Sequence, residues 1–131
     1  MAALRDWMEL AGDMAPAHIE EALDDDGDGV ADARSWALVL GAASVRVATA
    51  CPEADARHPE AADYARRMFC LESLFARRGF AGDGNPFAAR ALDAERRLRA
   101  LASGDETVGG DGDAVFVGEP AKASGIGGLM A

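Results

Sequence analysis

Between Ala33 and Ala50 the apolar residues Trp36, Val39, Leu40, Ala43, Val47 and Ala50 recur at intervals of three and four. A strand alternates at every second position, whereas this spacing puts all six side chains on one face of an α-helix. Cys51 and Pro52 end the run, because proline lacks the amide that a continuing helix needs. A helix with one apolar face must bury it, and the rest of the chain supplies further helices to do so.

Leu4, Trp7, Met8 and Ala11 fall at i, i+3, i+4 and i+7, which predicts a short opening helix that Gly12 ends. Pro16 suits the first turn of a second short helix anchored by Ile19 and Leu23. Residues 52–59, PEADARHP, hold two prolines and no apolar period, and so read as a connector. A long helix follows from about Pro59 to Arg78. It turns Ala61, Tyr64, Ala65, Met68, Leu71 and Phe75 inward and places Arg66, Arg67, Arg77 and Arg78 outward or late, with Gly79 as its C-cap. Asn85 and Pro86, an N-cap and a first-turn proline, open a last helix. Phe87, Ala91, Ala94, Leu98 and Leu101 form its apolar face and Gly104 stops it. The expected fold is all-α, a small four- to five-helix bundle over residues 1–104, with Trp36, Leu40, Met68, Phe75 and Leu98 meeting in its core. Aromatics make up only 6% of the chain and alanine is abundant, which favours close-packed helices over a β-sandwich.

Between the second and third helical patterns lies DDDGDGVAD, residues 24–32. Asp24, Asp26, Asp28, Gly29 and Asp32 occupy positions 1, 3, 5, 6 and 9 of a helix-loop-helix calcium loop, and Val30 at position 7 would offer its backbone carbonyl. Alternating carboxylates suit a hard dication that needs several oxygens at once, and Gly29 supplies the sharp turn. Position 12, the place of a bidentate Glu, falls on Ser35. The loop is therefore truncated, and Asp24, Asp26, Val30, Asp28 and Asp32 would hold Ca2+ weakly and structurally. An ordinary solvated turn with Asp32 as N-cap of the next helix has the same composition. Against that plainer reading, five carboxylates packed this closely repel one another without a cation.

The net charge of −10 is unevenly spread. Residues 1–32 carry −9, residues 33–104 carry +3 and residues 105–131 carry −4. An acidic chain without clustered cations is a poor nucleic-acid binder. Arg66, Arg67, Arg77, Arg78, Arg90, Arg96, Arg97 and Arg99 read either as a solvated helix face or as a surface, with Arg96, Arg97 and Arg99 foremost, that meets the acidic end of another copy. His18 and His58 stand in no ligand or triad pattern, and the chain has neither GxSxG nor a phosphate-cradling GxxxxGKS. No enzyme activity is expected. Cys51 and Cys70 lack metal-ligand spacing and read as two buried thiols of a reducing compartment. The opening MAALRDWMEL has neither a basic leader nor a long apolar core, so a soluble protein made in the cytoplasm is expected.

Residues 105–131 are glycine-rich, with one apolar block at Ala114, Val115, Phe116 and Val117. Such a segment cannot bury a core of its own. It reads as an extended arm that partners hold, its apolar block adding a strand to a neighbour's sheet.

The order of these features resembles a known family. A short helix pair, LDDDGDGVADA, a long helix, a proline connector, a helix ending in ARRG and a last helix reading ALDAERRLRALASGDETVG together resemble the small head-to-tail connector (adaptor, head-completion) proteins of Mu-like prophages, formerly a domain of unknown function. The resemblance covers residues 4–108, and its most specific piece is the acidic loop in its place between helices. It departs at VRVATACPEADARHP, where that family has an aromatic and proline stretch, and the segment from Gly109 to Ala131 has no counterpart. The resemblance implies a structural virion protein of the neck, assembled in the host bacterial cytoplasm as a homo-oligomeric ring of about twelve copies. It further implies contact with the portal protein and with tail or stopper proteins, passage of DNA through the ring without specific binding, and no membrane. The alternative from the residues alone is a calcium-binding helix-loop-helix interaction module.

Overall fold

The computed structural model describes residues 4–104. Among these residues it is all-α, a small helical bundle. A 3-10 turn at Trp7–Leu10 is followed by α1 (Pro16–Leu23), α2 (Ala33–Ala50), α3 (Ala54–Arg57), α4 (Pro59–Arg77) and α5 (Ala88–Ser103), with a second 3-10 turn at Gly82–Gly84. The chain divides after Arg99, and the packing described below belongs to the part that ends there. In the second part the Ser103 hydroxyl donates to the Ala100 carbonyl at 3.0 Å. Gly104, at a φ of +77°, follows the helix.

The opening segment is tighter than its spacing predicts. Asp6 accepts from the Met8 amide at 3.0 Å and Glu9 from the Asp6 amide at 3.1 Å. This reciprocal capping box opens a 3-10 turn, and Gly12 follows too soon after Trp7 for a full helix to form. The segment is nevertheless fixed. The Leu4 amide donates to Asp63 at 2.8 Å, the Arg5 carbonyl accepts from the Trp36 indole at 3.0 Å, and the Glu9 carbonyl accepts from Arg67 at 2.7 Å.

Helix α2 buries Ser35, Trp36, Val39, Ala43, Val47 and Ala50, with Leu40 half-buried beside them. Its main partner is α4, which also touches α1 and α3. Because α4 meets neighbours on several sides, its buried surface is wider than one stripe and takes in Ala62, Ala65, Arg66, Met68, Phe69, Cys70, Leu71 and Leu74. Two expectations fail here. Tyr64 is exposed rather than inward, and Arg66 is buried at 4% exposure rather than outward. The Arg66 Nε donates to Ser44 Oγ at 3.0 Å, and its Nη2 donates to both Asp55 oxygens at 2.8 and 2.9 Å. Asp55 lies on α3, so the residues expected to be only a connector contain a one-turn helix that delivers the counter-ion of a buried cation. Cys51 and Cys70 are free and buried, as expected, and burial pushes the Cys70 thiol up to about 12.

The end of α4 follows from Gly79, whose φ of +97° a side chain would strain. The Phe80 amide donates to the Phe75 carbonyl and the Gly79 amide to the Ala76 carbonyl, both at 3.0 Å, and the Phe75 and Phe80 rings meet edge-on at 5.9 Å. Asn85 then anchors the start of α5. Its side chain donates to the Glu72 and Phe80 carbonyls and accepts from the Phe87 amide at 3.0 Å. Phe87, Ala91, Ala94 and Leu98 are buried as their spacing predicts.

Candidate metal-binding loop

The loop is closed at its neck before any cation is considered. The Asp32 amide donates to the Leu23 carbonyl at 3.0 Å, and the Asp25 amide donates to Asp32 Oδ2 at 2.8 Å. Asp32 stands at the N-cap position of α2 without capping it by its side chain, which is spent on the loop neck.

Within the loop, Asp24, Asp26 and Asp28 do different work from Asp25. Asp24 gathers three backbone amides: Gly27 at 2.8 Å and Asp28 at 3.1 Å on one oxygen, Gly29 at 2.8 Å on the other. Asp26 accepts from the Asp28 amide at 3.1 Å and Asp28 from the Val30 amide at 2.9 Å. Gly27 and Gly29, at φ of +76° and +83°, let the chain curl tightly enough for this. As a result Asp24, half-buried, and Asp26 and Asp28, exposed, bring carboxylate oxygens within 4.8 Å of one another, a cluster that can hold a metal ion. Asp25 points the other way. It accepts from the Ser35 hydroxyl and from the Arg77 guanidinium, while Arg77 Nε donates to the Ala22 carbonyl at 2.8 Å. Arg78 Nε pairs with Glu21 at 2.9 Å. The tail of α4 thus grips both α1 and the loop.

Electrostatics follow this division. The Gly29 amide, aided by the Asp26 side chain and the Asp28 and Gly27 amides, lowers the Asp24 carboxyl below the ordinary 3.8. The Ser35 hydroxyl and Arg77 lower Asp25. The Asp28 amide pulls Asp26 down, but lost water and the adjoining Asp28 and Asp24 carboxyls outweigh it and raise that group. A cation bound among these like charges would relieve their repulsion.

Of the residues expected to hold calcium, the fold brings Asp24, Asp26 and Asp28 together. Asp32 has one oxygen committed to the Asp25 amide, and Val30 lies exposed with its amide bound to Asp28. Ser35, at position 12, is buried and turned to Asp25. Hard carboxylate oxygens fit a hard dication, and the missing bidentate ligand leaves much of its shell to water. The spacing pointed to the even-numbered aspartates. It carried no sign of Arg77, which is far away in sequence and is placed by packing.

Among the arginines singled out, Arg96 pairs with Asp93 at 3.4 Å and Arg99 with Glu95 at 2.5 Å, both on α5 itself. Arg97 lines an open recess of about 210 Å³ with Glu60, Ala61, Tyr64 and Ala94. Ala114, Val115, Phe116 and Val117, and the whole proposed arm of residues 105–131, lie outside the described residues. Among the described residues no helix is long and apolar enough to cross a membrane. No protein-family model, curated protein or solved structure matches the chain.

Proposed function

We propose that this chain is a structural subunit of a phage-type particle, a head-to-tail connector that assembles as a ring of about twelve copies beneath the portal. The observation that carries the reading is the closed acidic loop between α1 and α2, the most specific element of the resemblance, tied through Asp25 and Arg77 to the end of α4. Such a tie makes the loop a rigid part of the bundle, suited to a scaffold. The charge of −10 supports the same reading: a ring around moving DNA has to repel phosphate so that the duplex slides. The subunit joins portal and tail or stopper proteins in the virion neck after assembly in the host bacterial cytoplasm.

The test is a mass measurement of the full chain, alone and coexpressed with the portal protein of the same genome. Rings built of many 13.6 kDa copies, alone or on the portal, are expected. Deleting residues 105–131 should leave helical content and thermal midpoint nearly unchanged while the subunit no longer joins the portal. A chain that neither forms rings nor binds the portal would sink the reading.

A second reading, a calcium-binding helix-loop-helix interaction module, is favoured by the convergence of Asp24, Asp26 and Asp28. The two readings differ in affinity and consequence. In the connector the loop takes Ca2+ weakly, with a dissociation constant of about 0.1–1 mM, because few protein ligands reach the ion. Calorimetric titration should show this binding lost in Asp26→Ala/Asp28→Ala. Binding at nanomolar concentration with a change in helix arrangement would favour the sensor.

A further inference from the structure

An Asp–Gly step is a chemically weak point in a protein chain, because glycine sets an unshielded amide nitrogen beside the aspartate side chain. Three such steps lie among the described residues: Asp26–Gly27 and Asp28–Gly29 in the acidic loop, and Asp83–Gly84 in the 3-10 turn between α4 and α5. A fourth, Asp111–Gly112, lies outside them. All three glycines have open space where a Cβ would stand, so crowding does not tell them apart. Hydrogen bonding does. In the loop the glycine nitrogens are held by a charge, the Gly27 and Gly29 amides each donating to the Asp24 carboxylate at 2.8 Å. The carboxylates beside them are occupied too, Asp26 by the Asp28 amide at 3.1 Å and Asp28 by the Val30 amide at 2.9 Å. The Asp83 carboxylate is exposed and, among the described residues, neither accepts a hydrogen bond nor pairs with a cation. The Gly84 amide donates only to a neutral carbonyl, that of Ala81 at 3.1 Å, across a short turn in which Gly82 stands at a φ of +57°.

From this difference we infer that Asp83–Gly84 is a site of spontaneous covalent modification, the step at which the folded chain converts aspartate to isoaspartate, while the acidic loop protects its own two steps. The Gly84 nitrogen attacks Cγ of the Asp83 carboxylic acid. The amide proton and the carboxyl hydroxyl leave together as water, and a succinimide ring closes. Water then adds to one of the two ring carbonyls. Addition at Cγ restores aspartate, whereas addition at the main-chain carbonyl leaves Gly84 joined through Cγ, with a backbone one methylene longer and a free α-carboxylate. The reaction consumes no oxidant and needs no cofactor.

The place of the extra methylene gives the modification a structural consequence. It falls inside both hydrogen-bonded rings of the turn, Gly84 amide to Ala81 carbonyl and Asn85 amide to Gly82 carbonyl, each closed at 3.1 Å. Asn85, 6% exposed, is the residue whose side chain ties the Glu72 and Phe80 carbonyls to the Phe87 amide. Lengthening the backbone just before it displaces that side chain and loosens the start of α5 from the end of α4.

The experiment ages the full-length chain in mildly acidic buffer at body temperature and maps isoaspartate by electron-transfer mass spectrometry of tryptic peptides. Trypsin separates the sites, releasing Asp83 within residues 79–90 and both loop steps within residues 6–34. Isoaspartate should form at Asp83 at least about ten times faster than at Asp26 or Asp28, because a charge-assisted hydrogen bond has to break before either loop amide can attack. In concentrated urea, where the fold no longer holds those amides, the three rates should become alike. Asp24→Ala, with unchanged helical circular dichroism, should speed formation at Asp26 and Asp28 about tenfold and leave Asp83 as it was. The aged chain should also show a second, lower melting transition in proportion to its isoaspartate at position 83, and an equally aged Asp83→Glu variant should lack it. Formation at Asp26 or Asp28 as fast as at Asp83 would overturn the inference. So would a folded chain that keeps Asp83 intact while the urea-unfolded chain converts it, loop rates that ignore Asp24→Ala, or isoaspartate at position 83 without a change in melting.

Discussion

Replacing Phe69 by Ala is expected to lower the unfolding free energy by about 3–5 kcal/mol, the largest loss at any single apolar position in the bundle. Phe69 is the largest of the fully enclosed side chains, at 2% exposure, and sits on α4, the helix that touches α1, α2 and α3. Its removal leaves a void that neighbours anchored to other helices cannot fill, and strips the Arg46 guanidinium of the ring it rests on at 4.1 Å. Chemical denaturation with fixed slope measures it. Trp36, whose indole holds the Arg5 carbonyl, should follow closely, whereas Phe75, only half-buried, should cost less than Phe69. A loss below about 1 kcal/mol at Phe69 would mean that α4 is not the centre of the fold.

The second large effect comes from charge. Asp55→Ala should cost about 2–3 kcal/mol, because it leaves Arg66 buried at 4% exposure with Ser44 as its remaining partner. Arg66 Nη1 already has no hydrogen-bond partner, so little further support is at hand. Arg66→Met should cost less than Asp55→Ala, under about 1 kcal/mol, since it removes the cation together with its unpaired donor and leaves Asp55, which is 66% exposed, to water. The order of the two losses, read from urea midpoints, is the test. If Arg66→Met proves the more damaging, the pair stabilises by attraction rather than by compensating a buried charge.

The local signals in the chain were reliable where the physics is local. The stripe from Trp36 to Ala50, the caps at Gly79 and Asn85 and the face from Phe87 to Leu98 all appear in the structure at the positions their spacing indicates. Helix period, proline and positive-φ glycine act over a few residues, so a few residues suffice to read them. The loop was legible for the same reason: Asp24, Asp26 and Asp28 converge because alternating side chains around Gly27 and Gly29 bind the loop's own amides.

What tertiary structure alone decided are the positions whose partners are remote. By itself the sequence determined the all-α character of the described residues, the ends of the long helices α2, α4 and α5 and an acidic loop between α1 and α2. It did not determine which face of α4 turns inward, because an apolar stripe indicates one face and α4 is enclosed on several. Arg66 could be buried only once α3 brought Asp55 to it, and Arg77 became part of the loop only once α4 ended beside Asp25. Both are charged residues whose placement depends on a counter-charge brought by another element, and a charge is affordable in such a place only when that partner has arrived.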